Sequence, residues 1–176
     1  GKSLEGGKPI IAFDYKSFGQ ALKEDDKITA IVSRDGVTKC INAHIVIAKG
    51  ASDAWVIDQI LGDIDALGHV EVILKGDGEP ALQQVLKEVK KRRVHPTMIQ
   101  APPAYDPQSN GVAEHAVQDY IGHLRAVKLG LERRLSAELP TRLEIIEWAS
   151  EHSSFLLTRY QVGKDGHTAW KRLVGK

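Results

Sequence analysis

Residues 105–114 read Tyr-Asp-Pro-Gln-Ser-Asn-Gly-Val-Ala-Glu, and the chain changes character inside this stretch. Residues 101–110 are rich in Pro, Ser and Asn and read as a loop. From Gly111 to about residue 135 apolar side chains return at helical spacing, which places Glu114 one turn into a long helix. All strand patterns lie upstream of this boundary, with two helical patterns among them, and only helical patterns lie downstream.

Working upstream, residues 94–99 form a short apolar run in which Pro96 argues for an early or edge position in a sheet. Pro80 suits the first turn of a helix whose apolar face is Leu82, Val85, Leu86 and Val89. Residues 70–74 form a strand that delivers Asp77 just beyond its end. Ser52 or Asp53 caps a helix running to about residue 67, closed by Gly68. Residues 8–15, 28–33 and 37–47 are β-rich, and Asp35-Gly36 between the last two is a hairpin signal. Downstream, helices are expected over about residues 142–160 and 168–173. This order predicts an α/β (α+β) layered domain with three antiparallel strands at its start.

Composition sets bounds on function. With 176 residues and 42% hydrophobic content, the chain suits one domain with a substantial core. Residues 1–7 read as a linker or an added end, and residues 8–176 as the domain. Twenty-four basic against 23 acidic residues give a net charge of +1, so any nucleic-acid partner must be met by local basic surface. Two such clusters exist: Lys87, Lys90, Lys91, Arg92 and Arg93, and then Arg125, Lys128, Arg133 and Arg134. The first serves equally as a solvated helix end. One cysteine, Cys40, excludes an internal disulfide and a Cys-cluster zinc site, and its apolar setting marks it as a small buried side chain. No apolar run has membrane-spanning length.

Three acids stand out by position. Asp14 ends a strand, Asp77 follows another between Gly76 and Gly78, and Glu114 lies early in the long helix. Singly, each also fits an ordinary role as turn residue, cap or helix-dipole complement. Together at one end of a sheet, three carboxylates repel unless a cation neutralises them, and oxygen-only ligation selects Mg2+ or Mn2+. Two such ions support in-line phosphoryl transfer.

Residues 105–114 resemble the Y-x-P-Q-S-[NQ]-G-x-x-E segment of retroviral and retrotransposon integrases. Asp77-Gly78-Glu79 resembles that family's D-N-G-x-E segment, and Phe13-Asp14 its strand-borne first aspartate. The 36 residues between Asp77 and Glu114 match the family's spacing, and residues 157–170 resemble the region that follows its core. The resemblance implies a ribonuclease-H-like fold with a mixed five-stranded sheet flanked by helices. It implies a catalytic core in which Asp14, Asp77 and Glu114 hold two Mg2+ or Mn2+ ions for DNA 3′-end processing and strand transfer. Tyr105, Gln108, Asn110, Gln118, Arg125 and Lys128 would contact DNA. The implied partners are element-end DNA and target DNA, a second copy bound through helices, and higher oligomers of the full-length protein, with any host factor unknown. No membrane partner is implied, and the implied place is the nucleus or a cytoplasmic particle.

There are departures. Gly78 stands where many members have Asn, Glu79 comes early compared with D-N-G-x-E, and Gln118 and Ile121 or Gly122 stand where lysines often hold DNA. A ribonuclease-H-like nuclease and a catalytically silent DNA-binding or assembly module stay open beside the integrase reading. Among other residues, His115 and Asp119 are spaced to pair on the helix surface. His44 is expected to be hydrogen-bonded on the sheet. Trp55, Trp148 and Trp170 are expected to be packing residues rather than base-stacking platforms, some of them at a subunit interface, with Trp148 and His152 candidates for such a surface.

Overall fold

The computed structural model describes residues 4–19, 28–100, 111–140 and 144–175. In chain order the elements are β1 (Leu4–Glu5), β2 (Lys8–Phe18), β3 (Ile28–Asp35), β4 (Ile41–Val46), α1 (Ala54–Ala66), β5 (Val72–Lys75), α2 (Pro80–Arg92), β6 (Thr97–Gln100), α3 (Gly111–Leu135), α4 (Glu144–Tyr160) and α5 (Ala169–Val174). The sheet runs β4-β3-β2-β5-β6, antiparallel on the β4-β3-β2 side and parallel on the β2-β5-β6 side. It is the expected mixed sheet, with one addition: Leu4–Glu5 folds back onto β2 as a sixth, two-residue strand. Gly6 and Gly7 make that turn with φ of +56° and +78°, a conformation suited to a tight hairpin.

Strand alternation builds the layers. Ile11, Phe13 and Tyr15 leave β2 on one face and pack with Val56, Ile57, Ile60 and Ile64 of α1 and Leu82, Val85, Leu86 and Val89 of α2. On the other face, Ala30, Val32 and Ala43 meet Ala116, Val117, Tyr120, Ile121 and Leu124 of α3 and Ala149 and Leu157 of α4. Small side chains at Ala30 and Ala43 let α3 close on the sheet. Asp14, one residue out of step with Phe13 and Tyr15, leaves β2 on the α3 face. No helix among the described residues is long and apolar enough to cross a membrane.

Several local expectations are met. Asp53 caps α1, accepting from the Trp55 backbone N–H at 3.0 Å. Pro80 opens α2, α3 spans the expected residues, and β6 is an edge strand beginning right after Pro96. Cys40 is buried, and His44 is buried with its Nε2 2.7 Å from Asp63 Oδ2.

Four expectations are corrected. The β3–β4 hairpin exists, but β4 begins at Ile41 and residues 36–40 form the connection. The Asp35 carboxylate accepts from Thr38 N and Thr38 Oγ1 at 2.7 and 2.6 Å, and Lys39 takes the positive φ of 70°. The aspartate side chain therefore organises a wider loop than a two-residue Asp-Gly turn. Asp119 does not pair with His115 and accepts instead from Gln161 Nε2 at 3.3 Å. Asp14 does not end its strand, because β2 runs on to Phe18 and pairs Asp14 with Val32 of β3. Trp170 packs under the Arg159 guanidinium at 3.7 Å, while Trp55 and Trp148 are half-exposed on outward helix faces. Arg93 belongs to neither a phosphate patch nor a solvated helix end: it is buried, donating to the carbonyls of His69 and Val70 and to Thr97 Oγ1.

Candidate active site

The two aspartates meet through strand register. β2 and β5 pair in parallel as Ile10 with Ile73, Ile11 with Leu74 and Ala12 with Lys75. Continued two residues, the same register sets Asp77 beside Asp14, and neighbouring strands lie about 4.8 Å apart. Both residues are half-buried. Burial pushes the Asp14 carboxyl above its ordinary value of 3.8, the negative charge of Asp77 pushes it further, and Glu114 adds to this. A backbone hydrogen bond at Tyr15 and the charge of Lys16 oppose the rise without cancelling it. The charges of Asp77 and Glu114 thus both reach Asp14 in the middle of β2.

Local structure orients Asp77. Its Oδ1 accepts from the Glu79 backbone N–H at 3.0 Å, and its carbonyl accepts from Gln83 Nε2 at 2.7 Å, so it also organises the entry to α2. Gly76, ahead of it, is buried where a Cβ would lie 2.7 Å from Leu82 Cδ2. Glu114 is exposed on the first turn of α3. Among the described residues no three His, Cys, Asp or Glu side chains are gathered closely enough to share one ion. The donor set is nonetheless all oxygen, and the mutual repulsion felt at Asp14 is what a hard cation relieves. To that extent the residues fit a divalent ion.

No family model matches the sequence, and no curated protein matches it. Solved structures do match. A chain of the simian T-cell lymphotropic virus intasome, solved in complex with PP2A regulatory subunit B56 gamma, has a TM-score of 0.68 at 17% identity, covering 94% of this chain and 54% of that one. This chain therefore spans about half of that relative's length. The HTLV-2 integrase catalytic core domain in complex with magnesium has a TM-score of 0.64 at 16% identity, covering 93% of this chain and 95% of that one. The catalytic core domain of BIV integrase has a TM-score of 0.60 at 19% identity, covering 94% of this chain and 93% of that one.

The fold is that of a retroviral integrase catalytic core. Within this integrase-type fold the residues expected to contact DNA divide into two groups. Tyr105, Gln108 and Asn110 lie outside the described residues. Gln118 is exposed one turn beyond Glu114, and Arg125 is exposed two turns further on. Lys128 is half-buried and ion-paired with Glu132, so its charge is partly answered within α3. Arg125 and Lys128 also line a small cavity of about 180 Å3 with Phe18, Gly19, Ile121, Leu124 and Ile146.

Sequence reading missed one feature of the cleft. Lys49, in the connection between β4 and α1, pairs with Glu79 at the start of α2. No local pattern announces a pair whose members are 30 residues apart.

Proposed function

We propose that this chain is an integrase-type, metal-dependent polynucleotidyl transferase acting on DNA, carrying out 3′-end processing and strand transfer. The observation that supports it most is the parallel β2–β5 register, which carries Asp77, two residues past the end of β5, toward Asp14. The charges of Asp77 and Glu114 both act on the Asp14 carboxyl. Asp14, Asp77 and Glu114 would hold two Mg2+ or Mn2+ ions. When bound, such ions activate a water or a 3′-hydroxyl and stabilise the leaving oxygen of a phosphodiester.

The chain's own residues do the positioning. The Glu79 N–H and the Gln83 amide hold Asp77 in one orientation at the strand end. α3, anchored by Ala113, Ala116 and Val117, carries Glu114 on a rigid element. Tyr105, Gln108, Asn110, Gln118, Arg125 and Lys128 would meet phosphate, sugar or base edges. The active species is a homodimer joined through helices, within a larger assembly that holds element-end and target DNA and engages a host factor.

The test is a Mn2+-dependent cleavage and strand-transfer assay on duplex DNA. Asp77→Asn and Glu114→Gln should each lower the rate by roughly 1000-fold, because residues acting as one unit fail together. Wild-type rates in either variant would remove the proposal. A catalytically silent binding module is the second reading, favoured by the absence of a gathered three-acid site among the described residues. Melting in rising Mg2+ separates the two, since only a working site gains stability from the ion.

A further inference from the structure

The Lys49–Glu79 pair is held in place from several sides. Lys49 Nζ donates to both carboxylate oxygens of Glu79, at 2.8 and 3.0 Å. The same ammonium stands 5.0 Å from the centroid of the Tyr15 ring. The next residue, Gly50, donates its N–H to the Tyr15 hydroxyl at 3.2 Å, with a φ of +112° that L side chains avoid. Glu79 in turn is tied to the acids, because its N–H is the one that Asp77 Oδ1 accepts. Tyr15 directly follows Asp14 and leaves β2 on the α1–α2 face. Lys49 is therefore linked through Glu79 to the Asp77 segment, from the α1–α2 side of the sheet.

The carboxylates of Asp14, Asp77 and Glu114 repel a polyanion, so a nucleic acid approaching them needs a cation close by. The pair is built to supply one. Both side chains are partly open to solvent, at 39% for Lys49 and 30% for Glu79, and an ion pair in that setting is weak and screened by salt. Two carboxylate oxygens bridged by one ammonium present the same arrangement as two non-bridging oxygens of a phosphodiester. Exchange of Glu79 for a phosphate loses little at the pair and releases counterions from the nucleic acid.

We infer that Lys49 is a positioning residue that takes a backbone phosphate of the DNA beside the carboxylates, and that Glu79 is its built-in counter-anion when no DNA is bound. This rests on the transferase reading above. Tyr15 and Gly50 hold the lysine stem beside Glu79, and Glu79 lowers DNA affinity by competing for it.

The experiment measures fluorescence anisotropy of a labelled duplex ending in a 3′-hydroxyl, over a salt titration, with the whole chain and no divalent metal. Lys49→Ala should weaken binding roughly fivefold and flatten the slope of log affinity against log salt by about one. Lys49→Arg should keep the wild-type slope, and Glu79→Gln should tighten binding by roughly threefold at low salt. Melting temperatures identify any variant that is simply less folded, and the salt slope is a readout a mere strap between loops does not move. Two outcomes overturn the inference alone: Lys49→Ala with wild-type affinity and slope, or Glu79→Gln weakening binding in step with Lys49→Ala. A wild-type chain that shows no salt-dependent DNA binding overturns the transferase reading and this inference together.

Discussion

Asp35 is a carboxylate with no exposed side-chain surface, at the end of β3. Burial raises its pKa, but hydrogen bonding to His69 and Thr38 outweighs this and holds the carboxyl below its ordinary 3.8. His69 Nε2 lies 3.1 Å from Oδ2, although off the line of a well-aligned hydrogen bond. A carboxyl whose folded pKa is depressed stabilises the fold above its unfolded pKa, and that contribution fades as pH falls through the folded value. Melting temperature should therefore hold steady near neutrality and start to fall below about pH 4. Asp35→Ala should cost about 3 kcal/mol by denaturant titration at pH 7, since His69 and Thr38 lose a buried partner. A variant with wild-type stability would show that Thr38 and His69 are satisfied some other way. The sequence announced a turn at Asp35-Gly36, but the loop's shape came from where the carboxylate could find donors. Lys49 and Glu79 show the same limit, since neither side chain has a local reason to meet the other.

At the scale of elements, α2 and the end of β5 fit together through an absence. Gly76 has no side chain, and a Cβ there would meet Leu82 Cδ2 at 2.7 Å and Leu86 Cδ1 at 3.1 Å. Gly76→Ala should destabilise the fold by about 2 kcal/mol in denaturant titration, because both leucines are fully buried and have little room to move. It should also lower the proposed activity more than its stability loss explains, since Asp77 directly follows. Wild-type melting and turnover in that variant would mean that α2 yields without disturbing Asp77. Helices were the most legible elements: the apolar spacing of α3 and the caps of α1 and α2 are local signals. Helical spacing left open which tryptophans pack and which face outward, and Trp55 and Trp148 are on the outward faces of α1 and α4. Hydrophobicity of one residue does not say whether its side of the helix meets the sheet. Arg93 is the reverse case, a cation at a helix end drawn inside by five oxygen acceptors.

Across the whole molecule, the free edge of β4 and the neighbouring faces of α1 and α4 leave a large apolar surface uncovered. Ile47 is 96% exposed, Trp148 51% and Trp55 and Phe155 48% each. Along α4 the rings of Trp148 and His152 stack at 4.7 Å, with Phe155 next in line. A patch of this kind on a folded domain marks a contact surface, and it is where the proposed homodimer would form. Asp53, Glu144, Glu147 and Glu151 border it around a cavity of about 490 Å3. Two copies meeting there bring like charges together, so screening should help them. Sedimentation should show dimer formation strengthening as salt rises, the reverse of DNA binding, with Trp148→Glu remaining monomeric. Association that weakens in salt, or that survives Trp148→Glu, would place the contact elsewhere.

The sequence by itself determined the order and type of most elements, because periodicity, caps and turn residues act over a few neighbouring positions. It also determined that Asp77 follows a strand and that Glu114 stands early in a helix, but not that β2 runs on past Asp14 to Phe18. Only the tertiary structure decided that Asp14 lies beside Asp77 and on the α3 side of the sheet. That depends on the β2–β5 register, where a one-residue slip would turn Asp14 to the other face. Packing across the whole sheet sets such a register, and no single stretch of chain contains it.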